Sequence, residues 1–391
     1  MAVQSAIVVG AGIAGLTAAL SLAEKGVRVA ILEQSAQMSE VGAGLQISPN
    51  GARVLDRLGV LPLFSGRWLQ PECITLASGA RLSDLASVPL GRTGAARWGG
   101  PYGVLHRATL QKALLRKVEE NPLVSLTLGN RIDRPSKEAL QDRAGLRADL
   151  FVGADGVWSK MRTLVEGAGQ ARFSGFVAWR FVIPEQDAPA FLPRDRVTAF
   201  TGPDAHMVCY PLKEAGAFNL VTISVGEDPG PAWSISATEE QRRDFVARAL
   251  RGWSEELHRL LLAAPMPTWW PLFGVSDGHW TDSRDLVLIG DAAHAMLPFA
   301  AQGAVMAIED AHDLAGMVCA MPVGAALVRF EAMRRARVSK VRARGDFNRF
   351  AYHARGPVRL VRDAVFALSP TNLHAAKLDW IYGYKAGEIP A

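Results

Sequence analysis

The stretch Ala6-Ile-Val-Val-Gly-Ala-Gly-Ile-Ala-Gly15 decides the fold. Residues 6–9 are apolar and largely β-branched, which predicts a buried strand, and residues 16–25 continue as a helix. Gly10 permits a tight turn between them, Gly12 lets main chain approach a pyrophosphate, and Gly15 lets helix and strand pack closely. The segment therefore predicts a nucleotide-binding βαβ unit, with the phosphates at the helix N-terminus.

Glu33 closes the second predicted parallel strand, residues 28–33 (RVAILE). A carboxylate about twenty residues beyond the glycines accepts hydrogen bonds from ribose hydroxyls and disfavours a 2′-phosphate, which suits FAD or NAD. An isolated glycine motif is equally a plain turn, but here the strand, the helix, the second strand and the acid accompany it. The motif alone does not choose between FAD and NAD.

Composition narrows the class of protein. The chain has 391 residues, of which 49% are hydrophobic and 21% charged, so it can bury a large core in about two domains. Cys73, Cys209 and Cys319 form no CxxC pair, and the histidines show no ligand spacing, so we expect a reducing cytoplasm and no metal site. The uncharged first 23 residues lack a preceding Lys or Arg and are broken by glycines, which argues against export or a membrane span.

A basic cluster lies towards the carboxyl end. It comprises Arg334, Arg335, Arg337, Lys340, Arg342, Arg344 and Arg349. The sequence predicts the solvated face of an amphipathic helix, whose apolar side is Phe330, Met333, Val338, Val341, Phe347 and Phe350. No nucleic-acid-binding motif accompanies the charge, although some of these arginines can attract an anionic cofactor or substrate.

Two further motifs each follow an apolar strand. The first runs over residues 149–162 (DLFVGADGVWSKMR) and contains Asp155, Gly156 and Arg162. The second begins at Gly290-Asp291 and passes through an uncharged loop into a helix near Gly303. Taken alone, the second motif is equally a helix N-cap.

With these three motifs in order, the chain resembles the class A flavin-dependent aromatic hydroxylases, which have the p-hydroxybenzoate hydroxylase fold. Residues 41–50 (VGAGLQISPN) resemble the segment that passes the flavin ring, and residues 106–110 (HRATL) the segment with an FAD-contacting arginine. Residues 348–353 (NRFAYH), Gly356-Pro357 and residues 378–384 (LDWIYGY) resemble one branch. That branch holds salicylate hydroxylases, 3-hydroxybenzoate 6-hydroxylases and 6-hydroxynicotinate 3-monooxygenases.

The resemblance implies a set of FAD-binding residues. They are Gly10, Gly12, Gly15, Glu33, Gly44, Arg107, Asp155, Gly156, Arg162, Gly290, Asp291, Pro298 and Gly303. Asp291 is implied to hydrogen-bond the ribityl chain, and Asp155 and Arg162 to serve both FAD and the pyridine nucleotide. The helix at Gly303 would aim its positive end at the flavin's pyrimidine side, where reduced flavin gathers negative charge.

The candidate catalytic residues are His206, Tyr210 and Gln302. A strand over residues 206–212 places His206 and Tyr210 on one face. The resemblance implies that they hold or deprotonate a ring hydroxyl, and that Gln302 hydrogen-bonds a substrate hydroxyl or the peroxide. Structural roles for all three remain open. The chain departs from the 6-hydroxynicotinate enzymes at Gln46, Ser48 and Phe299, which puts that substrate in doubt.

The implied fold class is α/β. A Rossmann-like FAD-binding domain (residues 1–70, 101–172 and 272–345) carries an inserted, mostly antiparallel β-sheet substrate domain (71–100 and 173–271). A C-terminal helical segment (346–391) follows. The strands expected between residues 173 and 271 alternate with period two.

The implied reaction is aromatic hydroxylation. NAD(P)H reduces FAD, O₂ forms a flavin C4a-hydroperoxide, and oxygen transfers to a small phenolic or hydroxylated aromatic carboxylate ring. The expected partners are that substrate, NAD(P)H and O₂, with no nucleic acid and no membrane span; monomer or homodimer stays open. The alternatives are an FAD-dependent reductase or dehydrogenase of the same fold, an NAD dehydrogenase, and a ligand-binding module without turnover.

Overall fold

The computed structural model describes residues 3–38, 44–230 and 234–388. The strands are β1 Ser5–Val9, β2 Arg28–Leu32, β3 Gly44–Ile47, β4 Cys73–Ser78, β5 Asp84–Pro89, β6 Gly103–His106, β7 Val124–Thr127, β8 Leu150–Gly153, β9 Ala171–Pro184, β10 Arg196–Thr201, β11 Ala205–Leu212, β12 Ala217–Val225, β13 Ile235–Ser236, β14 Thr268–Val275 and β15 Leu286–Leu288. The helices are α1 Ile13–Ala23, α2 Pro49–Arg57, α3 Gly91–Trp98, α4 Arg107–Glu119, α5 Lys137–Ala144, α6 Glu239–Ala249, α7 Glu255–Ala263, α8 Asp291–His294, α9 Gly303–Ala320, α10 Val323–Tyr352, α11 Gly356–Leu368, α12 Thr371–Ala376 and α13 Asp379–Tyr382.

A parallel sheet in the order β15-β8-β1-β2-β7 forms the centre of the first layer. All five residues of β1 are buried, as the apolar run predicts for a central parallel strand. At the end of β1, Gly10 has a φ of +101°, and a Cβ there would lie 2.5 Å from the Ala154 carbonyl oxygen. A Cβ on Gly15 would lie 1.9 Å from the Gly10 oxygen, so only glycine allows α1 to pack this closely.

The second sheet has the order β13-β14-β9-β12-β11-β10-β4-β5. Its neighbours pair antiparallel except β10 and β4, which confirms a mostly antiparallel sheet. One face packs against α6 and α7, where Trp179 of β9 stacks on Phe245. The opposite face bears His206 and Tyr210 and meets residues of the first layer at Phe299 and Gly44.

Of the helices at the carboxyl end, α10 packs against α9, and α11 and α12 contact β5 at the edge of the second sheet. α10 has 30 residues and is continuous across residue 345, where a boundary was predicted. The small antiparallel pair β3–β6 joins the layers, since β6 leads into α4 of the first layer while Gly44 of β3 lies against Tyr210. The division of the chain into the predicted domains stays a prediction.

A buried ion cluster joins α9 and α10. The Arg334 guanidinium is fully buried and donates to Asp310 at 2.7 Å, to Glu309 at 2.8 Å and to Asp313 at 3.1 Å. Arg337, one turn further on, donates twice to Glu309, each at 2.6 Å. The network exchanges the water around five charged groups for charge-assisted hydrogen bonds, so losing one member leaves the others uncompensated.

The prediction of a solvated arginine face is therefore wrong for Arg334 and Arg337. The periodicity of α10 cannot reveal that acids of α9 draw these two side chains inward. The apolar side also departs from the prediction, because Phe347 is 54% and Phe350 is 64% exposed. In these last turns Ala351 is buried and Tyr352 packs against His206, so the buried side of α10 there is not the one that carries Phe347 and Phe350.

Within the described ranges, no helix combines the length and apolar content that crossing a bilayer requires. The same residues contain no cluster of three or more His, Cys, Asp or Glu side chains with the geometry to hold a metal ion.

Replacing Arg334 with Met should destabilise the fold strongly, because Glu309, Asp310 and Asp313 would then share a buried site without their common cation. We expect a loss of about 3–5 kcal/mol, measured as a fall in urea midpoint and thermal transition. Arg116→Met removes an exposed ion pair, its side chain being 66% exposed, and should cost under about 1 kcal/mol. Equal losses in the two variants would contradict the importance of the buried cluster.

Candidate active site

The carboxyl ends of β1, β8 and β15 meet at one edge of the parallel sheet, where ligands of such sheets bind. The first glycine turn lies there, and a Cβ on Gly12 would meet no atom within 4 Å. Gly12 also precedes α1, whose first turn has no capping side chain and no acid. The helix N-terminus therefore keeps its amides available for a phosphate group.

Glu33 reaches back to this turn. Its Oε2 accepts from the Ala11 amide at 2.7 Å and its Oε1 from the Ser35 amide at 2.8 Å. The carboxylate therefore lies beside the glycine turn at the end of β2, as a ribose-binding acid requires. Arg107 begins α4 at the exposed end of β6, next to Gly44 in the β3–β6 pairing. Of residues 41–50, positions 41–43 lie outside the described ranges.

Asp155 and Arg162 organise the second motif. Asp155 Oδ2 accepts from the amides of Lys160 and Met161, while its Oδ1 is buried without a hydrogen-bond partner among the described residues. The Cβ direction of Gly156, whose φ is +76°, is open. An orphaned acceptor beside an open glycine fits the hydroxyl-rich chain of FAD.

Arg162 is bound to main-chain carbonyls rather than exposed as a free cation. It donates to Val157 and Gly156 in its own motif, and to Ala292 at 2.6 Å and Asp291 at 2.8 Å in the next motif. One side chain thus fixes the two loops that end β8 and β15. A direct contact of Arg162 with FAD or the pyridine nucleotide stays a prediction.

The third motif presents Asp291 to solvent. Gly290, with φ +57°, turns the chain between Ala14 and Ala307, whose Cβ atoms a side chain there would meet at 3.0–3.1 Å. The Asp291 side chain is exposed and makes no cap for α8, so the alternative role of a helix N-cap is wrong. Its carboxylate is available to the ribityl hydroxyls that the resemblance assigns to it.

Asp310 supports this motif from α9. Its Oδ2 accepts from the Gly290 amide at 2.9 Å and lies 2.6 Å from His294 Nε2. Burial opposes ionisation, but His294 and Arg334 hold the pKa of Asp310 well below its usual range. His294 is thus a local hydrogen-bonding residue of the turn, as predicted. Asp310 was missed, although acids within the apolar run of residues 303–320 signal a buried partner.

The uncharged loop between the third motif and α9 contains a 3₁₀ turn, Pro298–Ala300, with Pro298 exposed. Gln302 is buried, and its amide exchanges hydrogen bonds with Ser48 at 3.1 and 3.3 Å and accepts from Asn50 at 3.3 Å. Asn50 in turn donates to Glu309 at 2.6 Å. Asn50 therefore links Gln302 to Glu309 of the ion cluster. A catalytic contact of Gln302 stays a prediction.

Across from this loop, the second sheet presents a face that combines polar and apolar side chains. His206 and Tyr210 are buried on β11, and their partners across the ladder are Ile223 and Asn219 of β12. Ala178, Ile223 and Phe299 form a small apolar cluster beside them. Burial, followed by the neighbouring His353, lowers the pKa of His206 to about 3, so the imidazole is neutral at pH 7.

Arg180 of β9 lies on the same face, and the sequence alone does not distinguish it from the other arginines of this region. It is 9% exposed, stacks 4.0 Å from the ring centre of Trp270, and has Nε and one terminal nitrogen without hydrogen-bond partners among the described residues. Burial, partly offset by Tyr210, lowers its pKa to about 10. Asn219 is fully buried, and neither of its amide atoms has a hydrogen-bond partner within the described ranges.

His353 is the other residue that the sequence left without a role. Its Nε2 lies 3.0 Å from Nδ1 of His206. It appeared only within the stretch that resembles one family branch, and its proximity to His206 depends on where α10 ends relative to β11. Nothing in the local pattern indicates that contact.

Comparisons with known proteins agree with this geometry. Residues 3–342 match the family described as FAD binding domain. The chain is 33% identical to 3-hydroxybenzoate 6-hydroxylase 1 of Aquipseudomonas alcaligenes, with 98% of each chain covered. It is 34% identical to a 3-amino-4-hydroxybenzoate 2-monooxygenase of Streptomyces platensis, covering 98% of this chain and 96% of that protein.

Solved structures show the same fold. A salicylate hydroxylase substrate complex superposes with a TM-score of 0.80 at 23% identity, covering 98% of this chain and 96% of that one. A Klebsiella pneumoniae protein complexed with FAD and uric acid gives a TM-score of 0.79 at 22% identity, with 97% and 96% covered.

The fold and the three loops define a flavoprotein, and the chain belongs to the FAD binding domain family. It is an FAD-dependent monooxygenase of the aromatic hydroxylase class. This confirms the predicted fold class, family and cofactor, and it disfavours the reductase and NAD-dehydrogenase alternatives.

Asp291→Ala should yield protein depleted of FAD, because the ribityl chain loses a charged acceptor. Hydrogen bonds to charged groups contribute about 1.5–3 kcal/mol, so we expect FAD affinity to fall at least tenfold. The ratio of flavin to protein absorbance after dialysis measures this. Asp277→Ala, at a side chain that is 92% exposed, is the control. Full flavin occupancy in the Asp291 variant would contradict the assignment.

Proposed function

We propose that the protein hydroxylates the ring of a small phenolic carboxylate, with NADH or NADPH as reductant and O₂ as oxidant. The named relatives act on hydroxybenzoates and an aminohydroxybenzoate, which supports a substrate of this class. When bound, FAD supplies the electrons and the oxygen chemistry, and this chain positions and shields the reactants.

The observation that carries this proposal is Arg180. An unpaired buried guanidinium is costly, and within the described residues no carboxylate forms an ion pair with it. A ligand carboxylate would compensate the charge through the planar two-point geometry that arginine favours. Stacking on Trp270 fixes the guanidinium plane, and Asn219 adds an amide on the same face.

His206 and Tyr210 would bind the ring hydroxyl of the substrate, whereas Arg180 would bind its carboxylate. A neutral imidazole accepts a proton, and burial keeps the Tyr210 phenol protonated by raising its pKa, so tyrosine remains a donor. Removing the substrate proton makes the ring richer in electrons and more reactive towards an electrophilic oxygen.

The apolar cluster would exclude water from the same space. Phe299 packs edge-on against Phe176 at 5.5 Å and lies 5.2 Å from the His206 ring, so the loop closes over the polar face. Exclusion of water favours oxygen transfer over unproductive loss of peroxide. Gln302 would orient the substrate hydroxyl or peroxide from the helix start, as proposed from the resemblance.

The remaining assignments form part of the same proposal. The glycine turn, Glu33, Arg107 and the second and third motifs would hold FAD, and the nicotinamide cofactor would visit without a nucleotide domain of its own. We place the activity in the cytoplasm, which the three unpaired cysteines support.

The first test is oxidation of NADH and of NADPH by the FAD-loaded protein across hydroxybenzoates and pyridine carboxylates, with products identified by mass. We expect one group of phenolic acids to stimulate oxidation and to yield products heavier by one oxygen. A yellow protein that oxidises neither nucleotide faster with any of these compounds would contradict the proposed substrate class.

A second test separates recognition of the carboxylate from recognition of the phenol. Arg180→Met should weaken binding of the active hydroxybenzoate about ten- to hundredfold, from about 1.5–3 kcal/mol, but leave the corresponding phenol without a carboxylate nearly unchanged. Binding is followed by flavin fluorescence. Arg194→Met, at a side chain that is 58% exposed, is the control. Equal weakening of acid and phenol would exclude Arg180 as the carboxylate anchor.

A further inference from the structure

The contact between His206 and His353 links the buried active-site face to the protein surface. His206 is 1% exposed, whereas His353 is partly exposed. His353 follows α10 directly, and its amide donates to the Arg349 carbonyl at 3.0 Å, which fixes the ring at the helix end. The two rings are 5.2 Å apart, with Phe299 beside both.

The hydrogen bond between two imidazoles contains one shared proton. If His206 accepts a substrate proton at Nε2, that nitrogen is bare beforehand and the ring carries its proton on Nδ1. Nδ1–H then donates to Nε2 of His353, which therefore carries its own proton on Nδ1. On that condition the contact sets both tautomers, and the N–H of His353 is on the nitrogen that does not face His206.

The protonated form of His206 is energetically unfavourable at this buried position. The rings that face His206 are those of Phe299, Tyr352 and His353, and no acid of the described residues forms an ion pair or hydrogen bond with it. A buried imidazolium without a carboxylate is costly, so the charge must move on through Nδ1.

The surroundings of His353 differ. Burial, followed by Arg349 and Arg355, lowers the pKa of His353 to about 4, and Asp204, in the turn before β11, partly offsets this by favouring the charged form. Asp204 is itself ion-paired with Arg355, and its side chain is 35% exposed. His353 is thus partly exposed to solvent and within the electrostatic influence of an acid, whereas His206 is buried.

We propose that His353 is the proton outlet of the active site, relaying to solvent the proton that His206 removes from the ring hydroxyl. The substrate O–H breaks and its proton binds His206 Nε2; His206 Nδ1–H passes its proton to His353 Nε2; His353 Nδ1–H releases one to water beside Asp204. One proton leaves the site for each phenol ionised, and no redox change is involved. This inference rests on the proposed function.

The test follows ionisation of a bound phenol in the FAD-loaded protein before any reductant is added. 3-Hydroxybenzoate is mixed with enzyme near neutral pH in weak buffer, and phenolate absorbance and proton release to an indicator dye are recorded. His353→Gln keeps a hydrogen-bonding group near His206 but cannot relay a proton. His258→Gln, at a histidine of α7 bonded to the Leu250 carbonyl, is the matched control.

We expect His353→Gln to slow ionisation and proton release at least tenfold, with FAD content and ligand Kd within twofold of wild type. Added imidazole should restore the rate in proportion to its concentration, and the rate should rise with pH as hydroxide replaces the relay. A merely structural role would change Kd or flavin content and show no rescue.

Three outcomes overturn the relay. Unchanged ionisation in His353→Gln would exclude His353, and slowed ionisation without imidazole rescue would assign it a structural role. If wild-type enzyme binds and hydroxylates the phenol without releasing a proton, the relay fails and the proposed function stands. If wild type ionises none of the hydroxybenzoates and hydroxylates none, both fail together.

Discussion

The cation of Arg334 is the constraint on which the flavin site depends. It binds three carboxylates of α9 in the protein interior. Two of these acids also accept hydrogen bonds from residues around the site. Asp310 holds the Gly290 amide, which sets the third motif, and Glu309 holds Asn50, which holds Gln302. The loops that would border both faces of the flavin thus share one buried charge network.

The residues that fix the loops are different from the residues that would contact the substrate. The charges that fix the loops are paired with one another inside the first layer. On the second sheet, by contrast, two nitrogens of Arg180 and the amide of Asn219 lack hydrogen-bond partners among the described residues, and His206 is neutral and buried. Satisfied polar groups stabilise a structure, whereas unsatisfied ones in a closed site mark where a ligand completes it. In the proposed function, the first layer would therefore hold the cofactor and the second sheet would receive the substrate.

Sequence alone predicts those parts of the fold that depend on local chemistry. The glycines of the first turn are required by close contacts that lie within the motif or at the end of the adjacent strand. The two-residue period of a β-strand is enough to place His206 and Tyr210 on one face. The burial of Arg334 could not be predicted, because its partners lie on another helix and its neighbours on α10 suggest a solvated surface. The contact of His353 with His206 joins positions 147 residues apart, and no periodic pattern encodes it.

We propose that this chain inserts an oxygen atom from O₂ into an aromatic ring held between the flavin loop and the second sheet. Turnover under ¹⁸O₂ in ordinary water, with the phenolic acid that best stimulates NAD(P)H oxidation, tests it most directly. We expect one ¹⁸O atom in the new ring hydroxyl of the product, with the substrate's own oxygens unlabelled. A product that carries its new oxygen from water, or an oxidised product with no new oxygen, would contradict it.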